Sequence, residues 1–291
     1  MNTLKAFAGA LFLFVLSQSV LTQKRNYITG DAFRACADYI VEKTTSAFKP
    51  EEVKAKSIVF VEVDSLGYFF KTIFPRINVP IILISHNGDM PAPGAYVGYL
   101  DDARLIAWFG QNCDSLDNPK FVPIPIGLGN AKWPHGDQAV FDQFLDTLER
   151  LRRQEHKKQL YINFSPTTNY IRIQLHQLLG GQPFASFVSM KKLPAYLKEM
   201  SSYRYTLSPF GNGLDCHRTW EALLVGSIPV VKTSTIDPLY DGLPVIILQN
   251  WHELTPELLE KKYQELQDKQ LNRKKMFMDY WVALIKQYQQ G

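Results

Sequence analysis

The sequence predicts an α/β protein built from two consecutive units, each a set of short buried strands alternating with helices. Three observations predict this class. Between Ser57 and Ile126, four short runs rich in β-branched and aromatic residues are separated by helical or turn-forming stretches. From Gln159 the pattern starts afresh with a strand, a polar loop and a helix. The run from Ser208 to Val231 then passes through a small-residue loop into a short helix and out into another strand.

Composition sets the outer bounds. With 291 residues, 46% of them hydrophobic and 21% charged, the chain can bury a sizeable core and is long enough for two compact units. The 32 Lys and Arg exceed the 28 Asp and Glu by four, and apart from Arg150 to Lys158 they are scattered. No basic stripe with interleaved aromatics exists, so nucleic acid is not an expected partner. Cys36, Cys113 and Cys216 can close one disulfide at most and lack the spacing of a zinc site. Walker A, G-x-G-x-x-G, H-E-x-x-H and G-x-S-x-G sequences are absent, which removes the usual supports for a nucleotide triphosphatase, a dinucleotide oxidoreductase, a zinc protease or an α/β-hydrolase.

Residues 1–25 read as a targeting segment: Lys5 precedes an apolar run from Ala6 to about Val15, extended through Leu16, Val20 and Leu21. The run is shorter than the roughly 20 residues that span a bilayer, yet no small-x-small cleavage site precedes Lys24-Arg25. A cleaved signal peptide and an uncleaved type II signal anchor through residues 4–21 therefore both stay open. Either places the folded part in a secretory-pathway lumen (Golgi or ER), in a periplasm, or outside the cell.

The first unit is expected over residues 26–136. Phe33, Cys36, Ala37 and Ile40 recur at helical spacing behind an Asp31 cap, and Ser57–Val63 is a strand that ends at Asp64. A helical piece from Leu66 to Phe74 leads to a strand over Pro80–Ser85 and a loop over His86–Gly94. Leu105–Phe109 and Phe121–Ile126 are further strands, the second with prolines that suit a sheet edge. A connecting amphipathic helix is expected over residues 137–158, with Val140, Phe141, Phe144, Leu145, Leu148 and Leu151 on one side.

The second unit is expected over residues 159–250. Gln159–Phe164, the loop Ser165–Asn169 and a helix to Leu179 make the first step of a Rossmann-like half. Strands follow at Phe184–Val188, Tyr205–Ser208, Ile228–Val231 and Val245–Leu248, with a helix over Leu193–Ser201. After Ser208, Gly211 and Gly213 allow tight turning, Asp215 is placed to cap a helix from about Cys216 to Val225, and Gly226 supplies its stop. The outward N-terminus of that helix suits a phosphate, and Arg218 in its first turn adds a bidentate donor. Glu221 shares the face of His217 and Arg218, where a carboxylate can accept sugar hydroxyls. Asn163-Phe-Ser165 is formally a glycosylation sequon, but its place at the end of a buried strand argues against modification. Residues 251–291 carry two helices, one opened by Thr255-Pro256-Glu257 and one with Phe277, Tyr280, Trp281, Leu284, Ile285 and Tyr288 on a single face.

The string from Leu207 to Val245 resembles the donor-binding half of exostosin-like glycosyltransferases of the GT-B type, with weaker echoes in Ile82–Asp89 and Phe121–Gly127. The resemblance implies two Rossmann-like units with the terminal helix crossing back onto the first. It further implies transfer of a hexosyl or pentosyl group from a nucleotide-sugar donor to a glycan or other hydroxyl acceptor, with inversion and without a bound metal or other cofactor. The absence of an Asp-x-Asp metal motif agrees with that implication. Ser165, Arg172, Ser208, Gly211, Asn212, Gly213, His217, Arg218 and Glu221 are the expected donor-site residues. The base that removes the acceptor proton should lie on a loop after a strand of the first unit, which gives Asp89, then His86, then Asp64. Asp89 ranks first because a cleft would screen its carboxylate from water. The alternative is a non-catalytic secreted carbohydrate- or nucleotide-binding protein on the same fold.

Overall fold

Eleven strands among the described residues form two separate sheets, and the chain completes the first before beginning the second. The structure is a computed structural model that describes residues 25–150 and 158–291. In the first sheet β1 (Tyr39–Glu42), β3 (Ile58–Glu62), β4 (Ile81–His86), β5 (Leu105–Gly110) and β6 (Phe121–Pro123) run parallel, and β2 (Thr45–Ser46) adds an antiparallel edge. The order is β2-β1-β3-β4-β5-β6. Every residue of β4 is buried, which is why it opens with the continuous apolar run Ile81–Ile84 rather than an alternation, before polar Ser85 and His86. β6, with its prolines, lies at the edge, where a missing N–H costs no ladder bond.

The second sheet contains β7 (Lys158–Ile162), β8 (Ala185–Phe187), β9 (Tyr203–Leu207), β10 (Ile228–Lys232) and β11 (Ile246–Leu248), all parallel, in the order β11-β10-β9-β7-β8. This is a Rossmann-like order whose direction of winding reverses between β7 and β9. The helices are α1 (Gly30–Ala35), α2 (Leu66–Tyr68, continued by a wider turn to Ile73), α3 (Gln138–Arg150), α4 (Tyr170–Leu179), α5 (Leu193–Met200), α6 (His217–Val225), α7 (Pro256–Gln267) and α8 (Met278–Gln290). α7 opens as read, with the Thr255 hydroxyl accepting from Leu258 N and Pro256 at the first position. α8 returns to the first unit: Trp281 and Ile285 join its core, and Tyr288 meets Phe109 edge-on at 5.3 Å. Two Rossmann-like α/β units with a terminal helix crossing back make the GT-B arrangement, so that expectation holds.

Several local expectations fail. The helix at the start of the first unit ends at Ala35, is capped by Thr29 rather than Asp31, and gives way to β1, so Ile40 lies on a strand. Asp64 sits in a short helical turn after β3. Cys216, not Asp215, occupies the cap position of α6, with no side-chain cap bond. Gly226 ends α6 in the left-handed region, at φ 83°, as its glycine implies. Of the targeting segment expected over residues 1–25, all but Arg25 lies outside the described residues, as does most of the basic run after Arg150. Among the described residues, no helix is long and apolar enough to cross a membrane.

Candidate functional site

Where an open parallel sheet reverses its winding, the loops leaving the two flanking strands part and leave a crevice at their carboxyl ends. Here those strands are β7 and β9. A cleft of about 350 Å³ lies at this point, lined by Asn163 after β7, by Gly211, Asn212 and Gly213 after β9, by Tyr196 of α5 and by the first turns of α6. Asp89, Ile126 and His135 close its far side, so the cleft runs between the two units.

Arg218 and Arg172 give the cleft its charge. Both guanidinium groups lie over the ring of Phe164, at 5.6 and 5.4 Å from its centroid. Arg218 Nε donates to Asn163 O at 2.8 Å, which fixes the side chain without neutralising it. Arg172 is 5% exposed and donates to three carbonyls, Phe210 O at 2.8 Å, Pro209 O at 3.3 Å and Ser165 O at 3.4 Å. Among the described residues neither arginine forms an ion pair with a carboxylate. Burial, then the charge of Arg218, pulls the Arg172 guanidinium below its ordinary value. Two cations on one ring, beside the open end of α6, make a site that favours an anion.

Glu221 lies one turn below. It is 5% exposed, and its carboxylate accepts the Tyr196 hydroxyl at 2.7 Å. Burial raises the carboxyl above the usual carboxylate range, opposed by the Tyr196 bond and the charges of Arg218 and His135. This is no solvated surface pair. A carboxylate held at the cleft wall by one neutral donor keeps capacity to accept ligand hydroxyls.

The other expected donor-site residues divide. Arg172, Gly211, Asn212, Gly213 and His217 line the cleft with Arg218 and Glu221. Ser165 and Ser208 do not. Ser165 is exposed and pairs with Thr167, while Ser208 is buried and bonds Thr219 Oγ1 at 2.8 Å, tying the exit of β9 to α6. Gly213 serves a close approach to Asn112, whose Nδ2 would stand 2.4 Å from an added Cβ, not to a ligand. His217 Nδ1 is 2.7 Å from Gly127 O across the cleft, and burial lowers its imidazole below the ordinary range. Asp215, expected as a helix cap, is buried and accepts from Ile126 N and Trp220 Nε1, both at 2.8 Å, and from Cys216 N at 2.9 Å. It joins the two units. All three cysteines are free, and burial raises the Cys216 thiol, in keeping with a packing role. Asn163 is buried and its amide donates to Val188 O and Ser189 O, which closes it to glycosylation.

Of the three expected bases, only Asp89 reaches the cleft. His86 is buried, with Nδ1 accepting from Asn87 N at 2.8 Å and Nε2 3.1 Å from Pro125 O; burial pulls its imidazole down to about 4. Both nitrogens are committed, so it cannot serve as a base for a ligand. Asp64 is exposed next to Gly88 and stands off the cleft. Asp89 is itself exposed, and its Oδ2 accepts the Asn212 amide at 3.0 Å, so the screening expected for it is missing. Tyr196, Lys191 and His135 also line the cleft and were not singled out by sequence. Each lies in a stretch whose pattern is that of an ordinary helix or turn.

Residues 183–290 match the family described as the RXYLT1 C-terminal domain. This bears out the exostosin-like glycosyltransferase resemblance of the second unit. Ribitol-5-phosphate xylosyltransferase 1 of Homo sapiens is 35% identical over 92 residues, which cover 26% of this chain and 20% of that protein. The match thus spans about a fifth of the relative's length. Distant solved structures include a GtfA/B complex, with 13% identity, a TM-score of 0.37, and coverage of 82% of this chain and 59% of the other. The UDP-GlcNAc 2-epimerase of Methanocaldococcus jannaschii has 8% identity, a TM-score of 0.35, and coverage of 78% and 76%. The catalytic domain of Starch Synthase IV from Arabidopsis thaliana, bound to ADP and acarbose, has 9% identity, a TM-score of 0.32, and coverage of 81% and 74%.

Proposed function

We propose that the chain is a glycosyltransferase that holds a nucleotide-sugar at the β7/β9 switch point and passes its sugar to a hydroxyl acceptor entering from the first unit. The observation that carries this reading is the pair of guanidinium groups on Phe164, without carboxylate partners among the described residues, beside buried Glu221. Arg218 and the N-terminal amides of α6 would meet the charge that develops on the departing diphosphate, in metal-independent chemistry. Glu221, steadied by Tyr196, would accept hydroxyls of the sugar or ribose through charge-assisted bonds. The acceptor hydroxyl would attack from the Asp89 side of the cleft, with inversion.

The relative's name supports a xylosyl donor and a ribitol-phosphate acceptor as first substrates to test. An apolar N-terminal segment supports a secretory-pathway lumen as the place of work. The experiment is a calorimetric titration with uridine, guanosine and adenosine diphosphates. Transfer to ribitol 5-phosphate is then measured from the xylose conjugate of whichever binds. Binding with turnover is expected. Binding without turnover of any nucleotide-sugar would favour a non-catalytic module, and absence of both would remove the reading.

A further inference from the structure

We propose that His135 is the general base that takes the proton of the acceptor hydroxyl. The inference rests on the glycosyltransferase reading and names the group that reading leaves unassigned. His135 lines the cleft from the turn that follows β6, opposite α6, where His217 and Glu221 face it. The His217 ring centroid is 5.7 Å away. Neither nitrogen of His135 has a hydrogen-bond partner among the described residues. That sets it apart from His86, with both nitrogens engaged; His217 is tied to Gly127 O through Nδ1 alone, and Asp89 takes the Asn212 amide on Oδ2 alone. Among the described residues it is the cleft-lining imidazole with both nitrogens open to a ligand, and it stands on the first-unit wall from which the acceptor is proposed to enter.

The turn that carries the ring is also held in place, as the support of a base must be before the acceptor arrives. Asn130 carries the turn: its Nδ2 donates to Asn87 Oδ1 and its Oδ1 accepts Asp31 N, both at 2.9 Å, while its carbonyl accepts Trp133 N at 2.9 Å. Asp31 answers by accepting Ala131 N at 3.1 Å. The turn is thereby bolted to α1 and to the loop after β4. Two glycines let it close: a Cβ on Gly136 would stand 2.2 Å from Asn130 O, and one on Gly129 would stand 2.5 Å from His135 Cδ2. Trp133 lies almost parallel to the imidazole, 9° between planes with centroids 6.3 Å apart, and is 51% exposed. The imidazole therefore has Gly129 close to its Cδ2 edge and the indole roughly parallel to it, with its nitrogens unpartnered among the described residues.

The charged and titratable groups around His135 are His217 and Glu221 facing it from α6, Asp89 on its own wall of the cleft and Lys132 on its own turn. Burial, then the His217 ring, lowers the imidazole below its ordinary range, so it is neutral and able to take a proton at neutral pH. In the step itself the acceptor oxygen bonds the anomeric carbon of the donor. The bond from that carbon to the diphosphate breaks, its electron pair leaves on the diphosphate oxygen, and the hydroxyl proton passes to the imidazole.

The test compares wild type with His135→Gln and His135→Ala, using the nucleoside diphosphate, xylose donor and ribitol 5-phosphate named above. His135 is exposed, and thermal melts of both variants should match wild type. The expected result is a fall in kcat on the order of 100-fold or more with nucleoside diphosphate affinity unchanged. The acid limb of kcat/KM against pH should vanish in His135→Gln, and free imidazole should restore turnover to His135→Ala, which a merely structural role would not produce. A variant that transfers as fast as wild type with its acid limb intact overturns the assignment while leaving the glycosyltransferase reading standing. Wild type that neither binds the nucleotide nor transfers overturns that reading, and the assignment with it.

Discussion

Arg218→Ala isolates the group on which the donor reading leans most. Among the described residues its side chain makes one hydrogen bond, from Nε to Asn163 O, and lies over Phe164, so truncation should cost about 1 kcal/mol of stability and leave the fold intact. Its remaining guanidinium donors are available to a ligand. If they meet the diphosphate, their loss should lower kcat by about 100- to 1,000-fold, the scale seen when one charge-stabilising donor is removed, or roughly 2.7 to 4 kcal/mol. Arg218→Lys should fall between, because an ammonium keeps the charge but loses the fork and the Asn163 anchor. The assay pairs steady-state transfer with calorimetry of nucleoside and nucleoside diphosphate. The diphosphate should lose affinity while the bare nucleoside does not. Equal losses for both ligands, or unaltered turnover, would place Arg218 outside the phosphate subsite.

Glu221→Gln should weaken nucleotide-sugar binding by roughly 1.5 to 3 kcal/mol if the carboxylate accepts hydroxyls through charge-assisted bonds; calorimetry that returns the wild-type affinity would make Glu221 a purely structural partner of Tyr196. Asp215→Ala should destabilise by about 3 kcal/mol or more, because it strands Ile126 N, Trp220 Nε1 and Cys216 N in the interior; a urea midpoint and slope like those of wild type would contradict this. His86 titrates at about 4 in the folded protein against an ordinary 6.5, so the unfolded chain binds its proton first. Stability is full above pH 6.5 and falls as pH drops toward 4, by at most about 3 kcal/mol. The loss between pH 7 and pH 4.5 should shrink in His86→Gln, and equal losses in the two proteins would count against it.

What could be read in the sequence was what local chemistry decides. Thr255-Pro256 announces a helix start and Gly226 a helix end because cap and left-handed turn are properties of a few adjacent residues. The prolines after Phe121 announce an edge for the same reason. The failures are long-range. β1 and β2 were invisible because their tight turn places Lys43 and Thr44 at φ 49° and 55°, a conformation usually signalled by glycine or asparagine. Glu62 and Ser65, distant in sequence, hold that turn by accepting Lys43 N and Thr44 N. His86 and Asp89, three residues apart and expected in one polar loop, separate because His86 ends β4 and packs against Phe33 and Pro125 while Asp89 stays exposed beyond it. Arg172, expected to face a phosphate, lines the cleft and also braces the loop carbonyls that frame it, a second task that only the folded chain shows.

The loop between β9 and α6 does two jobs with one backbone, and this links the donor site to the relation between the units. Asn212 bonds Asp89, Asp215 accepts Ile126 N, Asp215 N donates to Asn112 Oδ1, and His217 meets Gly127 O. Each of these contacts crosses from the second unit to the first. Arg218 and Glu221 follow immediately on the same short helix. A shift of the first unit would therefore pull on the N-terminus of α6, where the diphosphate is proposed to bind. Conversely, an anion drawn between α6 and Phe164 would stiffen the segment that holds Asp89 and the His135 turn opposite it. Donor occupancy would in this way fix the acceptor side of the cleft before the acceptor enters, an ordering that follows from shared residues and requires no hinge elsewhere in the fold.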